Sequence, residues 1–240
     1  MRAAVLIAVM AAGPAAACET RAFEGAGYTV CTAQKADDVR LFLNGPNGAY
    51  GGFSAVQDAL APQGMTLEFA MNAGMFQPDL SPVGLYVEGG QQSKPIVTRD
   101  GPGNFGLLPN GVFCIGARFS VVESRTFAKA RPKCLYASQS GPMLVLDGVE
   151  HPAFRAGSTS YHIRNGVGVT ADGATAYFVI SDQPVNFDSF ARFFRDALGA
   201  PDALYFDGSI SRLYAPDLGR SGAGFSIGPM VGVVVPVGGN

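Results

Sequence analysis

Tryptophan is absent from the chain of 240 residues, histidine occurs only twice, and charged residues make up only 15% of the composition. Two histidines, His151 and His162, cannot supply a three-histidine zinc site, and the H-E-x-x-H zinc signature does not occur. Any aromatic stacking on a ligand must therefore come from Tyr or Phe. The formal net charge of −2 is not typical of a nucleic-acid-binding protein or of a polybasic membrane-binding one.

The chain also has little that predicts a nucleotide or redox cofactor. Its glycines do not form a G-x-G-x-x-G turn between a predicted strand and a predicted helix, and no phosphate-binding P-loop is present. A calcium-binding D-x-D-x-D-G loop is absent, and we predict no α/β-hydrolase nucleophile elbow. We therefore expect neither a cofactor nor a metal ion.

The first residues have the pattern of a secretory signal peptide. One positive charge precedes the apolar run 3–12, and an Ala-x-Ala cleavage site ends at Ala17. The run is too short to cross a bilayer, which takes about 20 residues, and the later apolar segment 230–237 contains a glycine and a proline. We predict a cleavable signal peptide over residues 1–17, a single domain over residues 18–240, and no membrane span.

The four cysteines predict two disulfides in an exported protein. Two pairs that are close in the sequence, Cys18–Cys31 and Cys114–Cys134, would leave no free thiol, although four cysteines permit three pairings. Disulfides form in oxidising compartments, so we predict a periplasmic or secreted protein. Cys18 also directly follows the cleavage site, where a bacterial lipoprotein carries its lipid, so a lipid anchor at Cys18 is the alternative.

Strands dominate the predicted secondary structure. The dipeptide Asp172-Gly173 predicts a tight hairpin, because it tolerates the positive φ of such a turn. Segments rich in Val, Ile, Tyr and Phe and bounded by turn residues predict strands. Ten are expected, over Tyr28–Thr32, Val39–Leu43, Thr66–Met71, Gly84–Val87, Gly111–Ile115, Pro142–Leu146, Gly166–Thr170, Thr175–Ile180, Ala203–Phe206 and Val231–Val235.

Two helices stand out beside these strands. One is expected to be capped by Ser54 and to end near Ala61. The other is expected from about Phe187 to Leu198, with Gly199 as its C-terminal stop. We therefore predict an α+β fold, a single domain with a large mixed, antiparallel-rich β-sheet and two or three helices.

Several segments that adjoin these strands are rich in Gly, Asn, Asp and Ser, and loops at strand ends are where a scaffold presents reactive groups. They lie in the stretches Ala70–Val87 (AMNAGMFQPDLSPVGLYV), Gly103–Phe113 (GNFGLLPNGVF), Ala137–Val145 (ASQSGPMLV), Ile163–Val169 (IRNGVGV) and Ala203–Tyr214 (ALYFDGSISRLY). In these stretches the chain resembles the phosphodiester glycosidase family, whose type enzyme is N-acetylglucosamine-1-phosphodiester alpha-N-acetylglucosaminidase. It is most similar to the family's bacterial exported, exopolysaccharide-related branch.

The resemblance implies cleavage of the bond between a sugar's anomeric carbon and a phosphodiester. Such chemistry needs a carboxylate that stabilises the oxocarbenium character or attacks, and donors for the phosphate. Asp207, just past an apolar strand, is the candidate carboxylate; alternatively it caps its own Asp-Gly turn. Arg164 is the candidate phosphate ligand, because guanidinium forms a planar fork to phosphate oxygens; alternatively it forms a structural ion pair.

Eight further residues are candidates for substrate binding. Asn72 and Gln139 carry amides that could donate to sugar hydroxyls, although bonding to loop backbone is the favoured interpretation for Gln139. Ser209, Ser211 and Arg212 are candidates for phosphate contacts. The full set is Asn72, Gly74, Gln139, Ser140, Asn165, Ser209, Ser211 and Arg212. The sequence does not decide which other acidic residue would be a second catalytic carboxylate, among Glu68, Asp79, Glu88 and Asp182.

The sequence thus predicts an exported hydrolase, a glycosidase of the phosphodiester type, whose substrate is a sugar-1-phosphodiester or a related cell-envelope glycan linkage. We expect a carbohydrate or sugar-phosphate partner and no nucleic acid. The alternative is a non-catalytic periplasmic protein that binds glycans or takes part in envelope or exopolysaccharide assembly.

Overall fold

The computed structural model describes residues 17–238, so the predicted signal peptide lies outside the described residues except for Ala17. The strands in this range are β1 (Cys18–Phe23), β2 (Ala26–Gln34), β3 (Asp38–Phe42), β4 (Asn44–Gly45), β5 (Gly48–Ala49), β6 (Met65–Asn72), β7 (Tyr86–Glu88), β8 (Gln91–Lys94), β9 (Gly111–Ile115), β10 (Phe119–Glu123), β11 (Tyr136–Ser140), β12 (Met143–Leu146), β13 (Val149–Glu150), β14 (Asn165–Val169), β15 (Thr175–Ser181), β16 (Asp202–Asp207), β17 (Leu213–Ala215), β18 (Arg220–Ser221) and β19 (Met230–Pro236). The α-helices are α1 (Phe53–Leu60), α2 (Gly103–Gly106), α3 (Ser124–Ala130) and α4 (Phe187–Arg192).

The strands form three larger sheets. Sheet I has seven strands in the order β1-β2-β15-β14-β16-β12-β13, sheet II has five in the order β10-β9-β11-β7-β8, and sheet III has five in the order β18-β17-β6-β19-β3. Every pairing within these sheets is antiparallel. The predicted α+β class with antiparallel-rich sheets is therefore confirmed.

One central core lies where the three sheets meet. Phe178 of sheet I packs against Phe113 of sheet II and Phe69 of sheet III, with ring centroids 5.6 Å and 5.7 Å apart. Each such aromatic pair adds about 0.5–1.5 kcal/mol beyond the burial of its area. Since alternate residues of a strand point to opposite faces, the same strands also present an outer face that needs a cover.

A helix covers the outer face of each sheet. Helix α4 packs on sheet I, where Phe193, in the wider helical turn that continues α4, stacks on Tyr28 with centroids 4.0 Å apart. Helix α3 covers sheet II through Phe127, and α1 covers sheet III through Phe53 and Val56. Within residues 17–238, no helix is long and apolar enough to cross a membrane.

The two predicted helices are present, with one correction. Helix α1 begins at Phe53 with Gly52 at the cap position and no side-chain cap, so the prediction that Ser54 caps it was wrong. The second helix starts at Phe187 as predicted, and Gly199 follows it with φ +62°, the left-handed conformation that glycine adopts without strain.

Both predicted disulfides are present. Cys18 bonds to Cys31 across the β1–β2 pair, and Cys114 bonds to Cys134. Closing loops of 13 and 20 residues stabilises the fold by about 3 kcal/mol for each bond in the chain-entropy model. The Asp172-Gly173 hairpin is confirmed as well, because β14 and β15 pair directly on either side of it.

Candidate functional site

Two buried asparagines join the ends of strands from different sheets. Asn72 is the last residue of β6 in sheet III, and Asn165 is the first residue of β14 in sheet I. Asn165 Nδ2 donates to Asn72 Oδ1 at 3.0 Å and to the Asn72 carbonyl oxygen at 2.9 Å, while Asn72 Nδ2 donates back to Asn165 Oδ1 at 3.3 Å. This amide pair fixes sheet III against sheet I.

The same amide pair holds the segment that follows β16. Asn165 Oδ1 accepts from the backbone N–H of Asp207 at 3.2 Å, and Asn72 Oδ1 accepts from the backbone N–H of Arg212 at 2.9 Å. Ser211 Oγ lies 2.8 Å from the Asp207 carbonyl oxygen and 3.3 Å from Asn165 Oδ1. The structure therefore brings five of the predicted site residues together around one hydrogen-bond network.

The Asp207 carboxylate ends β16 and is 9% exposed. Its Oδ1 accepts from the backbone N–H groups of Gly208 at 2.6 Å and Ser209 at 2.8 Å, so the aspartate does cap its own turn. Among residues 17–238, no side chain donates to this carboxylate and no cation pairs with it. Burial raises the pKa of Asp207, and hydrogen bonds from Ser209, Gly208 and Ile210 offset part of the rise.

Arg164 lies on the neighbouring strand end and is completely buried. Its guanidinium donates to the Val185 carbonyl oxygen at 2.8 Å, to the Ser160 carbonyl oxygen at 2.8 Å and to Tyr205 Oη at 3.2 Å, and it stacks 3.7 Å from the Phe187 ring centroid. No carboxylate among residues 17–238 pairs with it. The structural ion pair that the sequence left open is therefore not formed within the described residues.

Because Arg164 has no exposed surface, a ligand can touch its guanidinium only if one of the groups packed on it moves. A guanidinium carries five N–H groups. Its contacts with Val185, Ser160 and Tyr205 leave one N–H of Nη1 without an acceptor among residues 17–238. Nη1 also lies beside the Asp207 turn, since a Cβ at Gly208 would be 3.6 Å from it.

Tyr205 is the residue of this site that the sequence reasoning missed, because it was read as part of an apolar strand. It lies two residues before Asp207 on the same strand, with a β-bulge between them, and its hydroxyl reaches the turn that follows Asp207. Burial raises the pKa of Tyr205, Asp207 raises it further, and Arg164 lowers it. A Cβ at Gly208 would lie 1.9 Å from Tyr205 Oη, so any other residue there would have to displace Tyr205.

Gln139, a candidate for substrate binding, makes the backbone contacts that were the favoured interpretation for it. Its Oε1 accepts from the backbone N–H groups of Leu85 at 3.0 Å and Val97 at 2.9 Å, and its Nε2 donates to the Val97 carbonyl oxygen and to Ser124 Oγ at 2.8 Å. The amide is fully occupied in linking sheet II to the segment after β8. We therefore leave Gln139 out of the candidate site.

Gly74 and Ser140 lie beside the network and shape it. Ser140 Oγ donates to the Phe206 carbonyl oxygen at 2.9 Å, which ties β11 to the end of β16. Gly74 has φ +153°, and a Cβ there would lie 2.9 Å from Ser138 Oγ. Both residues act on the position of the strand ends.

Ser209 and Arg212 differ in whether their polar side-chain groups are free to bind a ligand. Ser209 is exposed at the tip of the turn, and its hydroxyl forms no hydrogen bond within residues 17–238. The Arg212 guanidinium donates to the carbonyl oxygens of Gly222 and Phe225, so it braces the loop that precedes β19. Ser209 is therefore the open polar side chain of this turn.

Two exposed aromatic side chains lie on loops attached to this site. Phe225, 82% exposed, is on the loop that Arg212 braces, and Tyr161, 55% exposed, follows Ser160, whose carbonyl oxygen binds Arg164. They belong to the residue types expected to supply stacking in a chain without tryptophan.

None of the four alternative carboxylates is among the charges that shift the pKa of Asp207. Asp182 pairs with Arg220 at 2.8 Å, and Glu88 accepts from Tyr86 Oη at 3.0 Å. Asp79 accepts from the backbone of Ser81, and Glu68 lines a surface cleft on sheet III. Asp207 stands electrostatically apart from all four.

Two short stretches match the sequence of a known catalytic or cofactor-binding motif but not its structural context. Gly224–Gly228 does read G-x-S-x-G, but it leads into strand β19, whereas a nucleophile elbow joins a strand to a helix. Likewise, Gly101–Gly106 reads G-x-G-x-x-G but contains only the four-residue helix α2. Among residues 17–238, no three or more His, Cys, Asp or Glu side chains are grouped so as to hold a metal ion.

Comparisons with known proteins agree with the resemblance seen in the sequence. A family model described as phosphodiester glycosidase matches residues 65–233, which include the whole hydrogen-bond network. The uncharacterized protein YigE of Escherichia coli (strain K12) is 37% identical over 178 residues, which are 73% of this chain and 69% of YigE. The catalytic domain of zebrafish N-acetylglucosamine-1-phosphodiester alpha-N-acetylglucosaminidase, auto-inhibited by its pro-peptide, is similar with a TM-score of 0.60 and 13% identity, covering 90% of this chain and 81% of that domain.

Proposed function

The chain belongs to the phosphodiester glycosidase family, and we propose that it is an exported hydrolase that cleaves the bond between a sugar's anomeric carbon and a phosphodiester. The observation that carries the proposal is Asp207, a buried carboxylate with no ion pair among residues 17–238, at the end of a strand that neighbours the equally unpaired Arg164. Unpaired buried charges cost stability, and such groups concentrate at functional sites.

Asp207 is the proposed catalytic carboxylate. The leaving group is a phosphate monoester that departs as a stable anion, so protonation by a general acid is less important than for an ordinary glycoside. The remaining requirement is a carboxylate that stabilises or attacks the anomeric carbon as positive charge develops there. The two backbone N–H groups on Oδ1 orient the carboxylate and keep its pKa from rising further.

Arg164 is the proposed source of positive charge for the phosphate. It is buried beneath the turn and is proposed to attract the phosphate without direct contact. Its Nη1 donates to Tyr205 Oη, which leaves the Tyr205 hydroxyl proton free to donate elsewhere. Tyr205 Oη lies directly under Gly208, so a phosphate at the turn would sit close to both groups. The exposed Ser209 hydroxyl is a second donor at the same turn.

The sugar is proposed to bind against Tyr161 and Phe225, the exposed aromatics on the flanking loops. Export fits the two disulfides, which persist in oxidising compartments. Together with the apolar N-terminal run, this favours a periplasmic or secreted protein acting on a cell-envelope glycan.

The proposal is tested by release of reducing sugar from the methyl phosphodiesters of glucose 1-phosphate and N-acetylglucosamine 1-phosphate. We expect Asp207→Asn to lower kcat by about 10³-fold or more, as removal of a catalytic carboxylate does. Asp172→Asn is the matched control, since it changes the aspartate of another Asp-Gly turn that also accepts from its own backbone. Binding of these diesters without release by the unmodified protein, and with equal affinity by Asp207→Asn, would instead indicate a non-catalytic glycan-binding protein.

A further inference from the structure

A groove on the outer face of sheet II is left open by the short helix α3. Its volume is about 730 Å³, within the size range of small-molecule sites. Leu85, Val87, Ile96 and Phe127 provide apolar lining, and the segment 131–134 forms one wall. None of these residues belongs to the Asp207 network, so the groove is separate from the proposed catalytic site.

The segment 91–135, which contributes helix α3 and one wall of the groove, is basic, although the whole protein is not. Residues 91–135 contain seven Lys and Arg but only two Asp and Glu, a local net charge of +5 in a chain whose net charge is −2. The seven are Lys94, Arg99, Arg118, Arg125, Lys129, Arg131 and Lys133.

None of these seven side chains forms an ion pair within residues 17–238. Elsewhere in the described structure, five arginines are paired with carboxylates: Arg21, Arg40, Arg192, Arg195 and Arg220. Of the seven, Arg131 and Lys133 line the groove, so their positive charge is available to a ligand from outside the chain.

Two of the unpaired cations stand in the wall of the groove itself. Arg131 ends helix α3 in the left-handed conformation, with φ +49°, where glycine is the residue without steric cost. Lys133 follows two residues later, beside the disulfide-bonded Cys134. An apolar floor with two cations at one wall matches a ligand that has an apolar chain and an anionic head.

We propose that this groove binds a single-chain anionic amphiphile, with the chain against Leu85, Ile96 and Phe127 and its phosphate or carboxylate head at Arg131 and Lys133. Apolar burial would supply most of the affinity, at about 25 cal/mol per Å² of area removed from water. The two cations would supply selectivity for a negatively charged head.

The absence of tryptophan makes a direct binding test available. Gln92 is an exposed residue that lines the groove, so Gln92→Trp places a single fluorescent indole at its mouth. We expect dodecyl phosphate, below its micellar concentration, to shift the indole emission to shorter wavelength and to saturate. Dodecyl maltoside has the same chain with a neutral head, and inorganic phosphate has the head without the chain.

Removing the two positive charges of the groove wall then tests whether they bind the anionic head. Arg131→Gly combined with Lys133→Gln should weaken dodecyl phosphate binding about tenfold or more, because two charge-assisted contacts are lost. The glycine suits the backbone at residue 131, so the fold should be retained. Arg118→Gln is the matched control, since Arg118 is also unpaired but packs against the Gly173 hairpin and does not line the groove.

Three results would overturn the proposal. Equal affinity for dodecyl maltoside and dodecyl phosphate would show that the groove does not select charge. Saturation of the signal by inorganic phosphate alone would show an anion site without a role for the apolar floor. An affinity for dodecyl phosphate unchanged in the Arg131→Gly, Lys133→Gln variant would place binding elsewhere. The hydrolase assay is independent of all three.

Discussion

Asp172-Gly173 and Asp207-Gly208 are two Asp-Gly turns of the same chain, and in each the aspartate accepts hydrogen bonds from backbone N–H groups of its own turn. Asp172 is exposed, and a side-chain hydrogen bond from Thr170 at 2.6 Å lowers the pKa of its carboxyl. Asp207 is buried, has no side-chain donor among residues 17–238, and has a raised pKa. The same Asp-Gly dipeptide thus gives a structural turn in one place and a candidate catalytic group in the other, where the carboxylate is buried and has no side-chain donor among residues 17–238.

The largest effect on stability should come from replacing Arg164, the buried arginine beside the Asp207-Gly208 turn. Arg164→Met removes the guanidinium hydrogen bonds to the Ser160 carbonyl oxygen and to Tyr205 Oη, whereas the Val185 carbonyl oxygen keeps its bond from the His162 N–H. Each hydrogen bond from a charged group contributes about 1.5–3 kcal/mol. We therefore expect a loss of about 2–4 kcal/mol in the free energy of unfolding, measured by urea denaturation. Arg155→Met, at an exposed arginine without an ion pair in the described residues, should change it by less than about 0.5 kcal/mol. Equal losses in the two variants would contradict the buried role of Arg164.

Alanine at the two glycines should separate stability from activity. Gly208→Ala places a Cβ 1.9 Å from Tyr205 Oη, and Gly173→Ala places one 2.4 Å from the Phe119 carbonyl oxygen at φ +69°. We expect each to cost about 1–3 kcal/mol of stability, while only Gly208→Ala lowers kcat.

Adding Tyr205→Phe removes the hydroxyl that the new methyl group meets, so it should recover part of the stability lost in Gly208→Ala and none of that lost in Gly173→Ala. A double-mutant cycle on urea denaturation measures this coupling. Additive losses in both cases would show that Gly208 does not press on Tyr205.

The smallest effect is a difference in the sign of the pH dependence. Because burial raises the pKa of Asp207, its contribution to stability is present below its unfolded pKa and is lost as pH rises through its folded pKa. The pKa of Asp172 is lowered, so its contribution is present above the unfolded pKa and is lost as pH falls through the folded pKa.

Melting temperatures of the two Asp→Asn variants between pH 7 and pH 3 test this sign. Wild-type Tm minus variant Tm should rise on acidification for Asp207→Asn, by about 2–4 °C for each kcal/mol, and should fall for Asp172→Asn. Parallel curves would mean that the two carboxyls share one environment.

Much of the fold followed from local patterns. Each of the ten predicted strands overlaps an observed one, and the close pairing of cysteines and the Asp172-Gly173 hairpin are as expected. Nine of the nineteen strands among residues 17–238, including β10, and the helices α2 and α3 were missed. Helix α3 is capped by Glu123, a residue outside the usual cap set. The division of the strands into three sheets was not predicted, because it depends on pairing between strands that are far apart in the sequence.

The sequence predicted several residues of the candidate site, but it did not predict what each of them contacts. Asn72, Asn165, Asp207 and Ser211 lie in one hydrogen-bond network. Gln139 instead bonds to the backbone of Leu85 and Val97. Arg164 donates to Tyr205 Oη rather than facing an open cleft. The net charge of −2 likewise concealed the basic groove, because charges cancel in a sum and not in space.

The sequence by itself predicted ten of the strands, the Asp172-Gly173 hairpin and the family, and it favoured the observed cysteine pairs among three possible pairings, because each depends on neighbours in the chain or on motifs in a fixed order. Only the tertiary structure decided which of two Asp-Gly dipeptides became buried beside an arginine, because burial and electrostatic surroundings depend on strands that are far apart in the chain.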